Sequence, residues 1–369
     1  MIKSEFFFNF LKKNKIDFFC GVPDSVLKAT DTQLSKLKKN KNIINHNEGG
    51  SIATAIGYYL STKKIAGVYL QNSGLGNAIN PIVSIASEKV YSIPMLLIIG
   101  WRGSPLDKKK DEPQHQLQGK ITTKILKLLN IKFCYLNDNK DLSKLKKLIL
   151  YAKKDKKIVA CLVRKKKLVS DKIKNKKEIK KTASTIKRIE ILTHISKVKS
   201  QNLKIFSTTG YTSRELYQIR KSNNSKEFDF YNVGGMGHTA SLALGYALSS
   251  RKKNILCIDG DGSIIMHMGS MATNGVYAPK SFKHIVLNNH QHESVGGQKT
   301  ASDNINFNMI SKGCGYKNFY YANNILDFKK KFNIFLKSKG PSFFEITINA
   351  GTIENLGRPN NLKKIISNF

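Results

Sequence analysis

Residues 257–289 read CIDGDGSIIMHMGSMATNGVYAPKSFKHIVLNN, and this segment is the most informative in the chain. A short apolar strand runs into Gly260-Asp261-Gly262-Ser263, a helical segment follows, and a second apolar strand ends at Asn288-Asn289. This order predicts two parallel strands joined by a helix. Both polar motifs then lie at the carboxyl ends of their strands, which is where parallel sheets bind ligands.

The residues at these two strand ends suit a metal-bound diphosphate. Asp261 offers a carboxylate oxygen, while an asparagine side chain and a nearby backbone carbonyl offer neutral oxygens. Mg²⁺ prefers such oxygen ligands and keeps them together with phosphate oxygens. The glycines let the backbone approach phosphates, and amide groups at a helix start favour anions.

The same alternation of strands and helices extends outward in both directions. Apolar runs predict strands at 41–46, 64–72, 94–101, 156–163, 204–210, 228–233, 254–260, 283–289 and 342–349. Helical spacing predicts helices at 24–38, 48–61, 76–89 and 142–153. The predicted fold class is α/β, with two doubly wound parallel-sheet domains. We expect them at 1–165 and 186–369, joined by a basic linker at 166–185.

Composition limits the classes of protein that the chain can represent. It has 369 residues, is 40% hydrophobic and carries a formal net charge of +38, so it can bury two ordinary cores. The lysines are spread along the chain without an aromatic recognition motif, which favours a solvated surface that attracts anions over a nucleic-acid-binding face. No run is long enough to span a membrane, and the five cysteines show no metal spacing. We expect a cytoplasmic protein with free thiols and an amphipathic first helix that packs Phe6, Phe7 and Phe8 inward.

The GDG…NN pattern resembles the signature of thiamine-diphosphate-dependent enzymes. The resemblance implies thiamine diphosphate and Mg²⁺ as cofactors, with Asp261, Asn289 and the backbone carbonyl of Gln291 as metal ligands. It also implies that Met236 props the two cofactor rings into a bent shape, although a methionine at this position could equally fill the core. The expected cofactor-binding residues are Gly210, Met236, Gly237, His238, Gly260, Gly262 and Ser263.

The first half contains a candidate activating acid in His46-Asn47-Glu48-Gly49-Gly50. Glu48 could be a first-turn acid that the helix dipole favours. By the resemblance, it is instead the glutamate that binds ring nitrogen N1′ and promotes ylid formation at C2 of the cofactor. The two halves then correspond to a pyrimidine-binding and a diphosphate-binding domain. Because such enzymes share each cofactor between two subunits, the expected active unit is a homodimer or a higher homo-oligomer.

Further loops resemble the phosphonopyruvate decarboxylases and their relatives, the sulfopyruvate decarboxylases. They span residues 21–25, 71–77, 100–103, 111–115 and 292–300. The resemblance implies an anionic 2-oxo acid as substrate. Arg102 and Lys299 are the candidate substrate-binding cations, and Asp24, His115 and His292 are candidate proton carriers. Each could instead be surface charge or a structural group. Residues 104–110 and His290-Gln291 depart from the pattern, which puts the fit of the substrate in question.

Three hypotheses follow from these observations. The first is decarboxylation of phosphonopyruvate to phosphonoacetaldehyde, within phosphonate biosynthesis. The second is the same chemistry on sulfopyruvate, or a carboligase similar to acetolactate synthase; the joining of two domains in one chain and the loops at 100–103 and 111–115 favour the first over the second. The third is a non-enzymatic, basic nucleic-acid-binding protein, which would need neither Glu48 nor Asp261.

Overall fold

The structure, a computed structural model, describes residues 1–170, 184–198, 203–223, 229–250, 254–360 and 362–367. The chain divides into two units, Met1–Lys176 and Lys177–Phe369. Most of the predicted linker at 166–185 lies outside the described residues, so its limits stay a prediction. In the described part of the chain, no helix is both long and apolar enough to cross a membrane.

The first unit alternates strands with helices. Its strands are β1 Ile2–Lys3, β2 Phe19–Gly21, β3 Asn42–Ile44, β4 Gly67–Gln71, β5 Met95–Trp101, β6 Lys132–Leu136, β7 Ile158–Arg164 and β8 Leu168–Val169. Its helices are α1 Ser4–Lys13, α2 Asp31–Leu34, α3 Glu48–Thr62, α4 Leu75–Pro81, α5 Pro113–Leu128 and α6 Asp141–Asp155. Strands β2 to β7 form one parallel sheet in the order β3-β2-β4-β5-β7-β6.

Helices cover both faces of this sheet. Along β5, Leu96 and Ile98 face a core shared with α1 and α6, whereas Leu97 and Ile99 face a core shared with α3, α4 and α5. This alternation follows from the two-residue period of a strand, and burial on both faces explains why β5 is apolar throughout.

The second unit repeats the arrangement. Its strands are β9 Leu203–Ser207, β10 Phe230–Tyr231, β11 Asn254–Gly260, β12 Phe282–Asn288, β13 Gln291–His292, β14 Gln298–Lys299, β15 Asn318–Ala322 and β16 Ser342–Thr347. Its helices are α7 Arg188–Ser196, α8 Tyr211–Ser222, α9 Thr239–Ser249, α10 Asp261–Met266, α11 Gly269–Tyr277, α12 Phe307–Gly313, α13 Ile325–Lys337 and α14 Leu362–Ser367. The parallel sheet has the order β10-β9-β11-β12-β16-β15, and β13 pairs with β14 in a small antiparallel hairpin.

The two sheets share one strand order. If the sheet strands of each unit are numbered along the chain, both orders become 2-1-3-4-6-5. The order reverses between the first and third strands, and this switch point is where doubly wound sheets form a ligand-binding crevice. In the first unit the crevice lies beyond β2 and β4, and in the second it lies beyond β9 and β11. The predicted fold class is therefore confirmed.

Several predicted elements were wrong or displaced. The predicted helix at 24–38 is only a 3₁₀ turn, Lys28–Thr30, followed by the four-residue α2. Asp24 accepts the backbone N–H groups of Val26 and Leu27, and these contacts form a local turn before the 3₁₀ segment. The predicted helix at 76–89 begins as α4 and continues as a π-helix at Ile82–Ala86. Of the three phenylalanines expected to face inward from α1, Phe7 is buried and Phe8 packs against the core, but Phe6 is exposed.

Candidate active site

Ser263 brings three predicted cofactor-binding segments together in the second unit. Its hydroxyl accepts hydrogen bonds from Thr208 Oγ1 at 2.9 Å and from the Gly237 amide at 3.1 Å. It donates to Asp259 Oδ1 at 2.8 Å. The end of β9, the turn at 232–238 and the start of α10 therefore meet at the switch point of the sheet, as the sequence motifs predict.

Asp261 lies at the start of α10 and is only 2% exposed. The hydroxyls of Thr300 and Ser302 donate hydrogen bonds to its Oδ2 atom. In the described part of the chain, no cationic side chain forms an ion pair with it. Burial raises the pKa of this carboxyl, since an ionised group loses hydration without a fixed counter-charge. A buried carboxylate in this state suits a divalent cation, so the donor set fits Mg²⁺.

The two asparagines after β12 have different surroundings. Asn288 donates through Nδ2 to Glu345 Oε1 at 2.9 Å. Asn289 is 5% exposed, its Oδ1 atom accepts from the Gln291 amide at 3.1 Å, and its Nδ2 atom donates to Glu293 Oε2 at 2.9 Å. Asn288 Oδ1 likewise accepts one backbone amide, that of His290 at 3.2 Å, so these contacts do not choose between the two asparagines and Asn289 stays the predicted ligand. The backbone of Gln291 lies beside it in the β13–β14 hairpin.

Met236 and His292 converge on the backbone of Gly262. A Cβ atom at Gly262 would lie 2.9 Å from the His292 ring and 3.3 Å from Met236 Cε. Met236 is half-buried rather than enclosed in the core. Burial lowers the pKa of His292 to about 4, so its imidazole is neutral at pH 7.

The turn that carries Met236 depends on glycine at position 237. Gly237 has a φ of +88°, and a Cβ atom there would lie 2.5 Å from the ring of His267. Both the left-handed backbone and the close approach exclude larger residues. His238, which follows, is exposed and places its ring centroid 4.5 Å from that of His267. Gly210 also has a positive φ, +97°, directly before α8.

A buried polar network that the sequence motifs did not predict supports these residues. Asp259 Oδ2 lies 3.2 Å from His284 Nε2, and His284 Nδ1 lies 2.9 Å from the Tyr316 hydroxyl. Because Asp259 also accepts a hydrogen bond from Ser263, the network holds the first turn of α10 in place. The available signal was the occurrence of Asp259 and His284 inside otherwise apolar strands, since buried polar groups need partners.

In the first unit, Glu48 occupies the first turn of α3 and is 6% exposed. Asn47 caps this helix by accepting the Gly50 amide at 2.8 Å. Glu48 Oε2 accepts from Asn77 Nδ2 at 2.8 Å, whereas Oε1 has no hydrogen-bond partner among the described residues. A Cβ atom at position 74 would lie 2.2 Å from this Oε1 atom, so Gly74 leaves the space that the carboxylate occupies. Glu48 can therefore accept one further hydrogen bond.

Asp24 lies at the switch point of the first sheet. Its Oδ1 atom accepts from Gln71 Nε2 at 2.5 Å, and Gln71 is the last residue of β4. Burial raises the pKa of Asp24, although hydrogen bonds from Gln71, Leu27 and Val26 act in the opposite direction. A carboxyl group with a raised pKa can hold a proton more readily than an exposed one.

His115 belongs to a second set of polar residues around Arg102. Burial lowers the pKa of His115 to about 4, and the charge of Arg102 acts in the same direction. Its Nδ1 atom is buried without a hydrogen-bond partner in the described part of the chain. At neutral pH the ring is uncharged, so it can accept a proton or donate one N–H.

The two predicted substrate-binding cations both have acidic partners, but they differ in exposure. Arg102 binds Asp111 in a two-point contact at 2.8 Å through Nε and Nη2, and Nη2 lies 3.2 Å from Glu112 Oε1. Its Nη1 atom donates to Ser25 Oγ at 3.3 Å. Lys299 is largely exposed and forms an ion pair with Asp303 at 3.2 Å. Neither cation is unpaired, so their assignment to substrate stays a prediction.

Comparison with known proteins covers most of the chain. The family described as thiamine pyrophosphate enzyme, N-terminal TPP binding domain, matches residues 1–126, and its C-terminal TPP binding domain counterpart matches residues 208–346. Thiamine pyrophosphate is another name for thiamine diphosphate. The chain is 30% identical over 353 residues to phosphonopyruvate decarboxylase of Streptomyces viridochromogenes, with 92% of this chain and 86% of that protein covered.

Two further relatives carry a different name. Sulfopyruvate decarboxylase of Methanosarcina acetivorans is 26% identical over 333 residues, which cover 85% of this chain and 82% of that protein. Sulfopyruvate decarboxylase subunit beta of Methanocaldococcus jannaschii is 37% identical over 147 residues, which cover 40% of this chain and 75% of that protein.

Proposed function

The chain belongs to the thiamine pyrophosphate enzymes, and we propose that it decarboxylates phosphonopyruvate to phosphonoacetaldehyde and CO₂. The observation that carries the choice of substrate is the 30% identity to a phosphonopyruvate decarboxylase across 86% of that protein. The observation that supports the cofactor is the buried carboxylate of Asp261 at the switch point of the second sheet, which has no ion-pair partner among the described residues. Thiamine diphosphate, when bound, supplies the electron sink that lets a 2-oxo acid lose CO₂.

We assign the cofactor-holding roles as follows. Asp261, Asn289 and the Gln291 carbonyl would hold Mg²⁺. Glu48 would accept a hydrogen bond from the pyrimidine ring through its free Oε1 atom. The diphosphate and the rings would contact the residues around Ser263 and Met236, namely Gly210, Gly237, His238, Gly260 and Gly262. Ser263 is held in place by the Asp259, His284 and Tyr316 network, so we expect this part of the site to be rigid before the cofactor binds.

Proton movement is assigned to Asp24, His115 and His292. Asp24 has a raised pKa and can carry a proton. Both histidines are neutral at pH 7 because burial lowers their pKa values to about 4. They therefore begin the reaction as uncharged groups that can accept a proton or orient the substrate by hydrogen bonding. Arg102 and Lys299 would contact the carboxylate and the phosphonate of the substrate.

Sulfopyruvate is the second candidate substrate. A relative with that name also matches as a single chain over 333 residues. The joining of both domains in one chain therefore does not separate the two substrates, contrary to what the sequence suggested. The higher identity of the phosphonopyruvate decarboxylase over nearly the same length favours phosphonopyruvate.

A comparison of substrates tests this choice. The purified protein, supplied with thiamine diphosphate and Mg²⁺, should be assayed for CO₂ release from phosphonopyruvate, sulfopyruvate and pyruvate at matched concentrations. We expect kcat/KM to be highest for phosphonopyruvate. A higher value for sulfopyruvate would retain the cofactor chemistry but contradict the substrate assignment.

We also propose that the active form is a homodimer in which Glu48 of one copy and Asp261 of the other serve one cofactor. This follows from the family resemblance. Co-expression of differently tagged Glu48→Gln and Asp261→Asn chains tests it. Mixed dimers would contain one intact site, so random pairing should restore about one quarter of wild-type activity. Purified mixed dimers without activity would contradict the shared site.

A further inference from the structure

Glu293 lies four residues after the proposed metal ligand Asn289 and connects it to distant parts of the second unit. Its Oε2 atom accepts from Asn289 Nδ2 at 2.9 Å and from Arg188 Nη2. Its Oε1 atom accepts from the Gly351 amide. One carboxylate thus joins the loop after β12, the first residue of α7 and the segment after β16.

The contact with Glu293 fixes the orientation of the Asn289 side-chain amide. A carboxylate only accepts hydrogen bonds, so the NH₂ end of Asn289 must face Glu293. The Oδ1 end then points away from it. This oxygen accepts one hydrogen bond, from the Gln291 amide at 3.1 Å. A carbonyl oxygen has two lone pairs, so Oδ1 retains one for a cation.

Glu293 is itself held in place by a buried arginine. Arg188 is 5% exposed and also binds Glu215 Oε1, at 3.2 Å, and the Gly351 carbonyl, at 3.3 Å. Arginine stays protonated in proteins and presents its donors in a fixed plane. The Glu293 carboxylate is therefore held by the Arg188 guanidinium and the Gly351 amide in addition to its contact with Asn289.

We propose that Glu293, fixed by Arg188, is a positioning residue that orients Asn289 for Mg²⁺. The inference rests on the proposed metal site and adds a residue that the sequence motifs did not single out. Groups that orient metal ligands in this way typically contribute roughly 10–100-fold to metal affinity. Without Glu293, the Asn289 side chain can rotate and present its NH₂ end, which cannot bind a cation.

The test compares the two glutamates that pair with Arg188. Glu215 contacts Arg188 but, within the described residues, not Asn289, so Glu215→Gln is the matched control. Mg²⁺ affinity at saturating thiamine diphosphate should be measured by isothermal titration, with thermal unfolding of the metal-free protein in parallel. We expect Glu293→Ala to weaken Mg²⁺ binding at least about tenfold. Glu215→Gln should change it less than about twofold, whatever its effect on stability.

The outcomes separate this inference from the proposed function. If wild-type protein binds thiamine diphosphate without any dependence on Mg²⁺, the proposed metal site fails. If wild-type protein needs Mg²⁺ and Glu293→Ala binds Mg²⁺ as tightly as wild type, the role of Glu293 is refuted. The role is also refuted if Glu215→Gln weakens Mg²⁺ binding as much as Glu293→Ala does. Should Glu293→Ala not fold, Glu293→Gln gives the same decision. Its single acceptor oxygen cannot serve Asn289, Arg188 and Gly351 together, so we still expect weaker Mg²⁺ binding than in wild type.

Discussion

Asp261 combines two properties that rarely occur together. It is almost fully buried, and in the described part of the chain its side-chain hydrogen bonds come from neutral hydroxyls. Burial raises the pKa of Asp261 in the folded protein above its value in the unfolded chain. The stability that this group contributes is therefore fully present at a pH below the unfolded-state pKa, and it is lost as the pH rises through the folded-state pKa. An ionised carboxylate at this buried position therefore costs folding free energy, which a bound cation would offset.

Replacing Asp261 should separate stability from cofactor binding. We expect Asp261→Asn to leave the metal-free protein at least as stable as wild type at pH 7, because the buried charge is gone. Mg²⁺-dependent binding of thiamine diphosphate should fall at least about a hundredfold, more than the loss of an orienting group alone causes. Isothermal titration and thermal unfolding measure the two effects. Asp327→Asn, which changes an acid paired with Lys331, is the control. Unchanged cofactor affinity would refute the metal site.

Glu48→Gln should slow activation of the cofactor without preventing its binding. The substitution keeps the size of the side chain but removes the charge at Oε1, the atom that is left free beside Gly74. Loss of a positioned acid–base group typically slows a proton transfer by about 10²–10⁴-fold. Hydrogen–deuterium exchange at C2 of bound thiamine diphosphate measures the step. Asp155→Asn, on the exposed end of α6, serves as control. Equal exchange rates in wild type and Glu48→Gln would remove Glu48 from the mechanism.

Sequence patterns single out Glu48 and Asp261 as candidate site residues because each lies in a short motif that follows a strand. They could not predict Glu293. Its partners Arg188 and Gly351 lie 105 and 58 residues away along the chain, and only the fold brings them together. The same holds for Asp259 and His284, which pair across adjacent strands. Residues defined by long-range contacts leave little local signal in the sequence.

The segment between β5 and α5 is held together by ion pairs around Arg102. Arg102 is the first residue of this segment, and both carboxylate oxygens of Asp111, near its end, accept hydrogen bonds from Arg102. Lys165 also pairs with Asp111, at 2.7 Å. Arg102 has five N–H donors, and the contacts with Asp111, Glu112 and Ser25 occupy four of them. It can therefore offer a substrate one further N–H in this arrangement.

Arg102→Met should raise the KM for phosphonopyruvate more than that for pyruvate. A lost charge-assisted contact costs ~1.5–3 kcal/mol, and we expect the lower end, about tenfold. Arg164→Met is the matched control, since Arg164 holds the same segment through the Leu106 carbonyl at 2.7 Å and Asp107 at 3.3 Å. Steady-state kinetics on both substrates give the comparison. If both variants raise both KM values alike, Arg102 supports the segment and does not recognise the phosphonate.

The sequence predicted the long, fully buried strands β5, β11 and β12 well, because each is an apolar run. It missed β2 and β6 for physical reasons. Strand β2 has only three residues, and the edge strand β6 exposes Lys132 and Tyr135, so neither shows a continuous apolar pattern. Helix α5 was also missed, since its buried side is built partly from Gly119 and Thr122.

At the scale of the whole molecule, both units use one strand order and place polar residues at the same switch point. Asp24 bonds to Gln71 across the first switch point, and Thr208 bonds to Ser263 across the second. The net charge of +38 surrounds both units with a positive field. Such a field speeds the encounter with an anionic 2-oxo acid, and the gain falls with ionic strength.

Conversion of phosphonopyruvate, followed by ³¹P nuclear magnetic resonance, tests whether the protein is a thiamine-diphosphate-dependent phosphonopyruvate decarboxylase. The purified protein should be incubated with the substrate in the presence and absence of thiamine diphosphate and Mg²⁺. We predict that the phosphonopyruvate signal is replaced by that of phosphonoacetaldehyde only when both cofactors are present and Asp261 is intact. An unchanged phosphonopyruvate signal in the complete mixture, or equal conversion without the cofactors, would contradict the proposed function.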